Sequence, residues 1–174
     1  LAFNQNPKTP QHGKHELFSH TLFRKAVSHL IDRQLIKEKI YQGFAFIDES
    51  AERNSSPFHK SIAPAPYNPD EAKVLFERLS LRDTNGDGFL DLPGGEPLSF
   101  TILTNEDNPF RMHMGELIAE SLRNTGINAT VEPTDYDLIV TKLLDTFEWE
   151  AVILGIEGSI EPNDASWIWE SKGA

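Results

Sequence analysis

LSFTILTNEDNPFRMHMGELIAESLRNTGINATVEPTDYDLIVTKLLDTFEWEAVILGI, Leu98 to Ile156, is the stretch whose rhythm decides the fold. Residues 98–104 are β-branched and aromatic, as a strand requires. Residues 109–126 repeat apolar positions at helical spacing and stop at Gly126. Residues 127–133 read as a second strand, 135–147 as a second helix, and 150–156 as a third strand that is nearly all apolar. Strand and helix alternating with short connections imply parallel strands joined by right-handed crossovers. In such sheets ligands gather beyond the carboxyl ends of the strands. Those ends are Thr104–Arg111, Pro133–Tyr136 and Gly155–Asp164.

Upstream, the spacing of Phe23, Ala26, Val27, Leu30, Ile31 and Leu35 predicts one amphipathic helix running from Thr21 toward Gly43. Residues 44 to 67 show no helical period and hold prolines and serines, which predicts a surface loop. A second helix is announced by Asn68 as N-cap, Pro69 at the first helical position and Glu71 three residues after the cap. That spacing predicts reciprocal capping, with Glu71 reaching back to the cap's own N–H. The opening residues, LAFN, read as a short strand entered in mid-protein, and the chain as an excised fragment.

Composition narrows the function. The 174 residues carry 27 acids against 16 Lys and Arg, a formal charge of -11. That field repels phosphate backbones and makes nucleic acid an unsuitable partner. Without cysteine there are no disulfides, thiolate nucleophiles or Cys-based zinc sites. No nucleophile elbow, zincin motif or phosphate loop is present, so a hydrolase or transferase reading has no residues behind it.

DTNGDGFLD, Asp83 to Asp91, lies between the second helix and the first strand of the core. Asp83, Asn85, Asp87, the Phe89 carbonyl and Asp91 fall at oxygen-ligand positions of a calcium loop, with Gly88 at its turn. The bidentate acid that an EF-hand needs at position 12 is replaced by Gly94. Two readings follow: a structural calcium, or an Asx-rich turn whose side chains bond their own backbone. A calcium-dependent interaction module built on Asp83–Asp91 is the alternative function.

Arg111 stands just past the first core strand, near a helix start, where a guanidinium could grip a carboxylate in bidentate fashion. It could equally be a surface arginine paired with Glu106 or Asp107. Tyr136, Phe110, Trp167 and Trp169 are candidates for an aromatic wall.

Taken together, several segments resemble the family 5 extracellular solute-binding proteins, the oligopeptide-, dipeptide- and nickel-binding receptors of ABC importers. The resemblance rests on Asn4, on Arg24-Lys25-Ala26, on Leu30-Ile31-Asp32-Arg33 and Gly43, and on PYNPDEAKVLFERL followed by the Gly-Asp-Gly turn. IAESLRNTGINATVE and FEWEAVILGIEGSIEPND extend it over nearly the whole chain. It implies a bilobed periplasmic or extracellular receptor, lipid-anchored in some members, that closes over a solute and delivers it to a membrane permease. This chain would be a single domain over 1–174, most of lobe II, without lobe I. Peptide-binding members carry a tryptophan and an amine-holding aspartate where this chain has Ile156 and Glu157-Gly158-Ser159, and Asp-Pro becomes Glu161-Pro162. Glu157 or Glu161 is the substitute.

The expectation is therefore an α/β fold, a βαβαβ parallel core preceded by two helices, shaped as a periplasmic-binding-protein lobe. It binds a peptide or small polar solute without catalysis, as a monomer, and needs no cofactor beyond the calcium under question. Asn105, Asn108, Arg111 and Tyr136 would meet one end of the solute, and Glu157, Ser159 and Glu161 its cationic end.

Overall fold

A computed structural model describes residues 1–7, 14–47, 56–57 and 59–155. Leu1–Ala45 and Ala65–Leu154 form one compact unit, which carries every helix and strand among the described residues. The described residues of Phe46–Pro64, with Gly155, belong to a second, where the His59 N–H donates to the Ser56 carbonyl at 3.1 Å.

The core strands are β2 (Ser99–Asn105), β3 (Asn128–Thr134) and β4 (Ala151–Ile153), and all three run parallel. A short β1 (Ala2–Phe3) pairs antiparallel with β4, so the sheet is mixed and its order is β1-β4-β2-β3. The expected βαβαβ core is there, with α5 (Pro109–Arg123) and α6 (Tyr136–Thr141) as its crossovers. After Thr141 the chain continues as a π-helical turn over Lys142–Thr146 and ends at Phe147 in the left-handed region, φ 58°.

Four helices precede β2 where the sequence predicts two. They are α1 (Lys14–Ser19), α2 (Thr21–His29), α3 (Arg33–Lys39) and α4 (Pro69–Arg78). The single helix expected from Thr21 breaks because Asp32 caps a new one, its Oδ1 accepting the Leu35 N–H at 2.9 Å. Arg33 then fastens the break, donating to the Ser28, Ile31 and Ala65 carbonyls. The cap of α4 also departs from expectation. Asn68 Oδ1 accepts from the Glu71 N–H at 3.1 Å, but the Asn68 N–H donates to the His29 carbonyl at 2.9 Å instead of to the Glu71 side chain. The start of α4 is thus tied to the end of α2 in place of a local capping box.

Strand alternation sorts the apolar residues onto two faces. Phe100, Ile102, Ala129, Ala151 and Ile153 join the larger core with α1, α2, α4 and α5. Phe3, Phe18, Phe23 and Phe100 stand there with ring centroids 4.9–5.8 Å apart. Each such ring contributes about 2–3 kcal/mol by leaving water. Leu103 and Val152 point the other way and pack beneath Ile139 of α6. Gly115 lets α5 lie close on β3, since a Cβ there would sit 3.3 Å from both methyl carbons of Val131.

The residues of the family resemblance hold this frame together. Buried Asn4 donates to the Phe147 and Trp149 carbonyls at 2.9 Å each, which locks the turn after α6 onto β1. Arg24 donates to the Phe18 carbonyl at 2.8 Å. Glu150 receives Lys14 at 2.6 Å and the Thr101 N–H at 2.8 Å, which ties α1 and β2 together just ahead of β4.

Candidate functional site at the carboxyl edge of the parallel strands

Asn105 and Thr134 end β2 and β3 in register. The Glu106 N–H donates to the Thr134 carbonyl at 3.0 Å, which carries the pairing one step past the strands. From that shared edge two helices begin. Asn108 caps α5, its Oδ1 accepting the Arg111 N–H at 3.0 Å. Asp135 caps α6, its Oδ1 accepting from the Asp137 and Leu138 amides at 3.0 and 3.2 Å. The edge therefore presents two capped helix starts, with Arg111 in the first turn of one and Tyr136 opening the other.

Asn105 is 5 % exposed and its side chain is fully engaged. Its Oδ1 accepts from Arg111 Nη1 at 2.7 Å, and its Nδ2 donates to Asp107 Oδ1. Arg111 makes no ion pair among the described residues, neither with Glu106 nor with Asp107. Of the two sequence readings, the surface ion pair is absent and a guanidinium held by a neutral amide takes its place. A cation in the first turn lies at the end of a helix where the macrodipole favours anions, so helix stability is not what places it there.

Tyr136 is half-exposed at the opening of α6. Phe110, beside Arg111, is also half-exposed and stacks on Tyr41 with centroids 5.7 Å apart and planes 11° from parallel. Tyr41 has no local sequence signal for a place here. It follows α3, some seventy positions before its partner, and only the tertiary stack itself reveals it. Glu157, Ser159 and Glu161, together with Ile156, Trp167 and Trp169, lie outside the described residues.

The Asp83–Asp91 loop is a separate device. Asp83 accepts the Gly86 and Gly88 amides at 2.7 and 2.9 Å, Asn85 accepts the Asp87 amide at 2.8 Å, and Asp87 accepts the Phe89 amide at 2.8 Å. Buried Asp91 accepts the Thr84 N–H at 2.7 Å and also the Thr84 hydroxyl. It pairs as an antiparallel bridge with Arg82 on one side and Pro97 on the other. Gly86 and Gly88 supply φ of +81° and +89°, the left-handed turns that such a loop needs. The oxygens of Asp83, Asn85 and Asp87 accept from the loop's own backbone, as the Asx-turn reading expects, while the buried Oδ1 of Asp91 has no hydrogen-bond partner among the described residues. Among the described residues no three His, Asp or Glu side chains form a metal set. The Gly88 amide, and after it the Gly86 amide, holds the Asp83 carboxyl below its ordinary range.

A mixed sheet with helices on both faces and polar residues where adjacent parallel strands end is an α/β architecture of the kind in which ligands collect at strand ends. Residues 1–173 match the model of the bacterial extracellular solute-binding proteins, family 5, in its middle segment, and the chain belongs to that family. It is 29% identical over 154 residues to the oligopeptide-binding protein AppA of Bacillus subtilis, covering 86% of this chain and 28% of that relative. To the periplasmic alpha-galactoside-binding protein of Rhizobium meliloti it is 28% identical over 120 residues, covering 65% and 17%. The solved structure of Bacillus subtilis AppA in complex with a nonapeptide superposes with a TM-score of 0.75 at 28% identity, over 86% of this chain and 30% of that one. The oligopeptide-binding protein OppA shares the fold at a TM-score of 0.83 and 23% identity, over 92% and 25%. The chain thus spans less than a third of the length of these relatives.

Proposed function

We propose that the full-length protein is the solute-binding component of an ABC importer and that this chain is most of its second lobe, a single domain. It takes a peptide or a similar polar solute, works outside the cytoplasmic membrane and hands its cargo to a permease without altering it chemically. The observation that carries the reading is the meeting of Asn105, Asn108, Arg111 and Tyr136 at one strand edge, with a guanidinium free of any ion pair among the described residues. Asn105 is buried and bonded to Arg111, and Asn108 is fixed as a helix cap, which supports an oriented polar set of the kind a binding cleft requires. Arg111 meets the carboxylate end of the cargo, and Glu157, Ser159 and Glu161 its cationic end. Half-exposed Tyr136 supplies a flat apolar wall.

If two lobes close over the solute, one lobe alone is expected to bind weakly or not at all, since half of the contacts are missing while the ordering cost remains. The test is native mass spectrometry of the full-length protein purified without denaturation, followed by release of what it retains. A retained peptide or comparable polar solute is expected. Absence of any retained solute, together with no heat on titration with a mixed peptide panel, overturns the reading.

In this reading the Asp83–Asp91 loop is a staple between α4 and β2, and no cofactor takes part. A melting temperature that rises by several degrees with millimolar calcium, and partner binding that disappears in chelator, favour the calcium-dependent module instead.

A further inference from the structure

We infer that Asn105 is a positioning residue that keeps the charge of Arg111 uncommitted, and that this sets a preference for carboxylate-bearing solute. The ligand part of the inference rests on the receptor reading above. Its structural part does not.

Asp107 and Arg111 stand four positions apart across the start of α5, with the acid on the N-terminal side. Asp107 lies just outside the helix, ahead of the Asn108 cap, and no ion pair forms between it and Arg111. The Asn105 amide lies between them, accepting from Arg111 through Oδ1 and donating to Asp107 through Nδ2. The orientation of the amide follows from chemistry: a guanidinium only donates and a carboxylate only accepts, so the reversed amide would oppose like with like at both ends. At 5 % exposure Asn105 has little freedom to swing aside. Its own carbonyl accepts the Asn108 N–H at 3.3 Å, which joins it to the cap of α5.

A neutral acceptor orients the guanidinium without cancelling its charge, whereas a carboxylate in the same place would do both. The same amide holds the Asp107 carboxylate away from Arg111, the place a solute carboxylate would take. Asn105 therefore separates an acid and a base that would otherwise neutralise each other.

The experiment uses the full-length protein and two probes, trialanine and its C-terminal amide. Asn105→Ala removes the separator and lets Asp107 reach Arg111. Trialanine affinity should then fall about tenfold more than that of the amide. Asn105→Asp should lower trialanine affinity further, because the new acid pairs with Arg111 directly. Adding Asp107→Asn to Asn105→Ala should restore trialanine binding to within about threefold of the parent. A purely structural role for Asn105 would lower both probes alike and would not be rescued at Asp107, and either result overturns the inference.

A readout independent of cargo accompanies these. The crystal structure of the Asn105→Ala protein should place Asp107 within ion-pair distance of Arg111, and an Arg111 still unpaired there overturns the positioning role. Should the parent bind neither probe, the peptide reading fails while the variant structure still decides the role of Asn105.

Discussion

Two loops of this chain draw on the same residue types and use them in opposite ways. In Asp83–Asp91, Asp83, Asn85 and Asp87 each accept backbone N–H groups of the same loop, and Asp91 closes it by accepting from Thr84. In Asn105–Arg111, one asparagine caps a helix and the other joins an arginine to an aspartate, side chain to side chain. The first loop satisfies its own backbone, as a connection between a helix and a strand must. The second leaves a guanidinium without an opposite charge among the described residues. Polar residues that close on themselves make structure, and polar residues that leave a charge over are available to a ligand. Substitutions in the first loop should therefore change stability, and those in the second should change binding.

The largest effect is expected at Asp91. It is 3 % exposed, and Asp91→Ala strips the partner from both the Thr84 N–H and its hydroxyl. A loss of about 2–3 kcal/mol should appear as a lower urea midpoint with an unchanged slope. A loss under about 0.5 kcal/mol would mean the loop is not a staple, and the contrast would fail on its structural side.

Next comes Arg111→Ala. Stability should fall by about 1 kcal/mol, because the buried Asn105 Oδ1 loses the Arg111 donor, while no ion pair is broken and the charge sits at the wrong end of α5. Affinity of the full-length protein for an acid-terminated peptide should drop about tenfold to a hundredfold by calorimetric titration. An untouched affinity would break the contrast on its binding side.

Gly88→Ala should be smaller, about 1 kcal/mol in thermal or urea unfolding. Nothing lies within 4 Å of the position a Cβ would occupy, so the whole cost comes from φ of +89° and not from crowding. Asn at the same position should recover part of the loss, since it tolerates the left-handed region better than alanine.

How much of this could be read in advance differs element by element. β2, α5 and β3 were legible to within a few residues because local signals agree there: β-branched strands, an Asn108-Pro109 start and a Gly126 stop. The break between α2 and α3 was not, because Leu30, Ile31 and Leu35 keep helical spacing straight through it. Asp32 and the Arg33 bonds to three carbonyls, one of them on distant Ala65, decide against continuity. α1 is six residues long, too short to show a period, and β1 finds its partner at the far end of the chain. For the site, the strand-end rule led to Asn105, Arg111 and Tyr136. It could not show whether Arg111 pairs with an acid, since Glu106 and Asp107 are both near in sequence and only the structure shows the buried Asn105 amide bonded to Arg111 and Asp107. The Tyr41–Phe110 stack is tertiary and has no local trace.

The smallest effect is a matter of pH and separates the two kinds of loop most finely. Asp83 is held below its ordinary range first by the Gly88 amide and then by the Gly86 amide, both of which favour the ionised carboxylate. A folded-state value below the unfolded one means the unfolded chain takes up the proton first as acid is added. The stabilisation is therefore complete above the unfolded value, about pH 4, and is lost as pH falls through the lowered folded value. Asp83→Asn can still accept one amide but cannot titrate. Its stability should follow that of the parent less steeply on the acid side of about pH 4, while the two curves run parallel near neutrality. Chemical unfolding at several acid pH values measures this directly. Curves that stay parallel down to about pH 2 would show that the loop's amides do not discriminate the charged carboxylate from the neutral one, and with that the self-satisfied loop would lose the electrostatic half of its distinction.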